Sequence, residues 1–91
     1  MMKRAEAEEI GIGVLNYVAG EPELLTRFLE LTGVTPATLR DAVRAPGFFV
    51  SILDFVLYDD ATVMAAANRM GVKPEDIVSA REALAPHGEF G

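Results

Sequence analysis

Apolar residues recur every three or four positions along almost the whole chain, and that period belongs to helices rather than strands. Ile10, Val14, Tyr17 and Val18 make one stripe, and Leu24, Leu25, Phe28, Leu29 and Thr32 make the next. Leu39, Ala42 and Val43 mark a short third. A fifth stripe holds Val63, Met64, Ala67 and Met70, and a sixth holds Ile77, Ala80, Arg81 and Leu84. Between the third and fifth lies GFFVSILDFVLY, Gly47 to Tyr58, whose aromatic and β-branched residues invite a strand reading. Its small and polar positions decide otherwise. Gly47, Ser51, Asp54 and Tyr58 fall on one narrow helical face, which leaves a fourth helix buried on its other sides. The pattern predicts an all-α fold: one domain, a compact bundle of five or six short helices.

The punctuation agrees. Pro22, Pro36 and Pro74 suit the first position of a helix, where the missing amide costs nothing. Asp59 suits the cap of the fifth helix, and Thr35 is a better cap than Lys73. Gly33 and Gly71 suit the left-handed residue that ends a helix. Val34 with Leu39, and Val72 with Ile77, then have the spacing of hydrophobic staples. Gly11 and Gly13 are awkward inside the first helix, at about 0.5–1 kcal/mol each against alanine, and point to close helix packing there. Pro86 to Gly91 read as a flexible tail.

The phrase G-V-x-P occurs twice, at Gly33 and again 38 residues later at Gly71. Extending that shift pairs Leu15 with Leu53, Val18 with Val56, Ala42 with Ala80 and Ala45 with Ala83. With the two phrases this makes seven identities over 38 positions, against about three by chance. Similar pairs add to them, among them Val14 with Ile52, Tyr17 with Phe55 and Glu21 with Asp59. Residues 10–47 and 48–85 are therefore expected to be two copies of one three-helix unit.

The stretch from Phe28 to Asp60 resembles a bacterial family known as domain of unknown function 3572. Phe28-Leu29, Thr32-Gly33, Pro36, Leu39-Arg40, Gly47-Phe48 and Leu53-Asp54-Phe55 carry the resemblance. Asp60 stands where that family usually has glutamate. The resemblance implies a small all-helical bacterial protein, and it lends no catalytic residues.

Composition narrows the functions. The chain has 91 residues, of which 51% are hydrophobic, and a formal net charge of −6. A domain this small buries only roughly 60–65% of its unfolded surface, so either the core is well filled or some apolar surface is left for a partner. The acidic balance disfavours nucleic acid and anionic membrane. The chain lacks cysteine, which removes disulfides and thiolate chemistry. Glu6, Glu8 and Glu9 follow the basic start instead of a secretory apolar core, and Gly47–Tyr58 is too short to span a bilayer. A cytoplasmic location is expected.

Few residues point to chemistry. The segment from Ala66 to Ala80 has helix-turn-helix spacing around Gly71, and the first copy repeats it around Gly33. Its second helix, however, opens Pro74-Glu75-Asp76, which would face phosphate with like charge. Arg40 and Arg44 are better placed, with Asp41 between them. Asp59-Asp60 reads as a cap with a charged first turn, and Asp54 as a structural ion pair with Arg40, or with Arg27 or Arg69. His87, the one histidine, makes no metal site without cysteine. Met64 and Met70 read as core. No cofactor is expected. The favoured function is a non-enzymatic interaction module, with Phe48, Phe49 and Tyr58 offering a surface to another protein or to a second copy in a homodimer. A helix-turn-helix nucleic-acid binder is the alternative.

Overall fold

The computed structural model describes residues 2–45 and 47–85. Six helices follow one another: α1 Arg4–Ala19, α2 Pro22–Thr32, α3 Leu39–Val43, α4 Phe48–Leu57, α5 Asp60–Met70 and α6 Pro74–Leu84. The described residues form no strand. The all-α expectation holds, and Phe48–Leu57 is helical despite its composition. The tail from Pro86 onward, with His87, lies outside the described residues.

The helix ends follow from the residues placed there. Gly33 and Gly71 close α2 and α5 at φ of 77° and 72°, a left-handed conformation that only glycine adopts without strain. Pro22 and Pro74 open α2 and α6. Asp59 accepts the Thr62 amide at 3.1 Å and the Thr62 hydroxyl at 2.6 Å, capping α5 as expected. At α6 the Asp76 carboxylate accepts the Lys73 amide at 3.0 Å, which offsets the poor cap residue.

Two boundaries differ from the pattern. Pro36 opens a separate turn, and α3 begins only at Leu39. The Thr35 and Thr38 hydroxyls accept each other's amides at 3.2 and 3.0 Å and hold that turn closed on itself. Gly47 is the residue before α4, at φ 85°, and is not part of its face.

α1, α4 and α6 pack on one another and form the centre. Val14, Val18, Ile52, Leu53, Val56, Ile77 and Ala80 are all fully buried there. Phe28 reaches in from α2, and its ring meets those of Phe48 and Phe55 edge-on at 5.8 and 5.3 Å. Gly11 and Gly13 are explained by close approach. A β-carbon on Gly11 would lie 2.9 Å from the Phe49 ring, and one on Gly13 would lie 2.7 Å from the Met70 methyl.

The 38-residue shift has a counterpart in the helices. It carries residues 22–32, the whole of α2, onto 60–70, the whole of α5, and residues 10–19 of α1 onto 48–57, the whole of α4. The third members differ. α3 spans five residues against eleven in α6, and α3 touches the rest of the bundle mainly at α4.

Candidate functional site

α2 and α4 are joined at their base by Phe28 but are not closely packed along their length, unlike α1 and α5. The space between them is an open groove of about 480 Å³, within the usual range for binding sites of roughly 300–1,000 Å³. Phe28 and Phe55 form its floor, with Leu24 and Leu31 along the α2 wall. Leu31 and Tyr58 stand at its mouth, 71% and 94% exposed. Polar groups rim it: Arg27 on α2, Ser51 and Asp54 on α4, and Asp59 and Thr62 where α5 begins.

The polar stripe of α4 is therefore one wall of this groove. Ser51, Asp54 and Tyr58 are all exposed and all line it. Their spacing made the stripe visible in the sequence, and α2 supplies the facing wall. Leu31 was not singled out. The available signal was its place one turn beyond Phe28 on the row of Leu24 and Phe28, at the edge of the α2 stripe.

Asp54 pairs with Arg81 of α6, not with Arg40. The Arg81 Nε donates to Asp54 Oδ1 at 2.8 Å, and its Nη2 to Oδ2 at 3.3 Å. The side chains keep 52% and 36% of their surface, so this is a surface pair. Arg40 is exposed on α3, away from that contact.

The three aromatic residues expected to form a surface divide. Phe48 is 7% exposed and belongs to the core, because it lies one turn before Ile52 and two turns before Val56 on the buried side of α4. Phe49 is half-buried over Gly11, with its ring 5.6 Å from that of Phe48. Tyr58 alone is exposed.

The helix-turn-helix spacing falls on α5, Gly71 and α6. α6, the would-be reading helix, lies against α1, α4 and α5 with Ile77 and Ala80 fully buried. Its exposed positions include Glu75, Val78 and Glu82. Among the described residues no three His, Cys, Asp or Glu side chains are grouped to hold a metal ion. No described helix is long and apolar enough to cross a membrane.

A second groove lies between α1 and α5, at Gly13, Asn16, Tyr17, Arg69 and Met70, with a volume of about 290 Å³. A third runs between α5 and α6 along Val63, Met64 and Val78. The α2/α4 groove differs from both in its aromatic floor and in having at its mouth the two most exposed large apolar side chains among the described residues.

Comparison with curated proteins and with solved structures finds no match. The profile of a family of proteins of unknown function, DUF3572, matches residues 4–87, nearly the whole chain, and the protein belongs to that family.

Proposed function

We propose that this protein is a non-enzymatic interaction module that receives a segment of a partner protein in the α2/α4 groove. One observation carries the reading. Leu31 and Tyr58 are left in water beside an aromatic floor, in a chain too small to spare apolar surface. A partner seated there would cover both side chains and extend the core outward. The proposal takes the cytoplasm as the site of action, because a small domain without cysteine draws no stability from an oxidising compartment.

The test is affinity capture with charge placed at the mouth. A partner held by the wild type and by Ile12→Glu should be lost from Leu31→Glu and Tyr58→Glu. Ile12 is a suitable control because it is 48% exposed on α1 and belongs to neither groove. Equal retention by all variants would remove the groove from the account. If the retained partner is another copy of the chain, light scattering will show a dimer that Leu31→Glu dissolves.

A nucleic-acid reading rests on Arg40 and Arg44, both exposed at α3. Asp41 between them, the burial of α6 and the net charge of −6 all weigh against it. A salt-sensitive shift of duplex DNA, lost in Arg40→Ala or Arg44→Ala, would favour it.

A further inference from the structure

The two grooves are related by the 38-residue shift. On the first wall, Gly13 falls on Ser51, Asn16 on Asp54, Tyr17 on Phe55 and Gly20 on Tyr58. On the second wall, Arg69 falls on Leu31 and Met70 on Thr32. Glu21 and Asp59, the residues that precede α2 and α5, correspond as well. Every residue lining the α1/α5 groove thus has its counterpart in the α2/α4 groove.

The two are filled differently. In the α1/α5 groove the Met70 side chain lies across the bare backbone of Gly13, with its methyl 2.7 Å from where a β-carbon would stand. The counterpart of Met70 is Thr32, which is too short to cross. Its hydroxyl turns back to its own helix and donates to the Phe28 carbonyl at 2.9 Å. The filled groove has about 290 Å³ left and the unfilled one about 480 Å³. The chain therefore shows what one groove of this form holds, and leaves the other without it.

We propose that the α2/α4 groove takes an unbranched apolar side chain, methionine or its like, from a basic segment of a partner protein. This deepens the reading above and rests on it. The side-chain class follows from Met70, whose flexible thioether fits a channel between helices without demanding one rotamer. The charge of the segment follows from the rim. Two carboxylates, Asp54 and Asp59, line it against one guanidinium, Arg27, and the chain as a whole carries a net charge of −6. Arg81 engages Asp54 from α6, and both side chains stay partly in water. A segment with lysine or arginine beside its apolar residue meets this acidic rim favourably, and an acidic segment is repelled.

The probes are short blocked peptides, acetyl-Lys-Met-Lys-amide, acetyl-Lys-Val-Lys-amide and acetyl-Glu-Met-Glu-amide, titrated at millimolar concentration into isotope-labelled full-length protein. Amide shifts are expected at Leu31, Ser51, Phe55 and Tyr58 with the first peptide. Its apparent Kd should be several-fold tighter than that of either other peptide. Thr32→Met together with Ser51→Gly rebuilds the filled groove in place of the open one and should abolish the shifts. Leu31→Glu provides a second blocked variant if that double substitution disturbs the fold. Shifts at those residues that are equal for all three peptides overturn the side-chain and charge assignment and leave the interface reading standing. No shift there with any peptide overturns both.

Discussion

The Met70 methyl lies on Gly13, so close that a β-carbon at Gly13 would come within 2.7 Å of it. Two residues earlier a similar relation joins Gly11 to Phe49, at 2.9 Å. The two contacts differ in what can yield. Met70 meets Gly13 with the free end of a flexible side chain. Phe49 presents its ring and its β-carbon, 3.3 Å away, and the ring is wedged against Phe48. Gly13→Ala should therefore cost less than about 0.5 kcal/mol, because the helix gains roughly what the displaced methyl loses. Gly11→Ala should destabilise by about 1–3 kcal/mol through overpacking. Urea melts of the two variants check the order.

The aromatic floor should separate stability from binding. Phe28 is 1% exposed and touches both Phe48 and Phe55. Phe28→Ala should cost about 3–5 kcal/mol, a large share of what a domain this size has. Leu31, one turn on and 71% exposed, should tolerate alanine within about 0.5 kcal/mol. Thermal melts of both variants would show one low and one unchanged midpoint.

The Asp54–Arg81 pair is short but half in water. Its coupling in a double-mutant cycle with Asp54→Asn and Arg81→Gln should come to less than about 1 kcal/mol and shrink with added salt. A coupling above that, or one indifferent to salt, would mean the pair is more enclosed than its exposure indicates.

Asp59 holds the start of α5 through two bonds to Thr62. Asp59→Ala should destabilise by about 0.5–2 kcal/mol, and Asp59→Asn, which keeps the acceptor, by less. Because Asp59 also lines the groove, Asp59→Asn removes a rim charge while keeping the cap. It should weaken a basic partner more than it weakens the fold.

Much of the fold was legible because local rules and tertiary packing agree. Gly33, Gly71, Pro22, Pro74 and Asp59 each end or begin a helix for reasons internal to a few residues. Pro36 misled because the reciprocal threonine bonds stabilise a lone turn ahead of α3. The polar stripe of Ser51, Asp54 and Tyr58 was visible as a periodicity. What faces it was not, because that depends on how far α2 stands from α4. The Asp54 partner is 27 residues away, on a helix whose placement periodicity does not encode. Phe48 and Phe49 are adjacent and chemically identical, and only the direction of the core distinguishes them.

The central claim is that the α2/α4 groove is where a partner sits. The most direct measurement places a photo-reactive benzoylphenylalanine at Leu31 or at Ile12 in the producing cells and compares the adducts after illumination. The account predicts a discrete cross-linked species from position 31, competed away by the lysine-flanked methionine peptide, and none from position 12. The same adducts from both positions, or none from position 31, would contradict it.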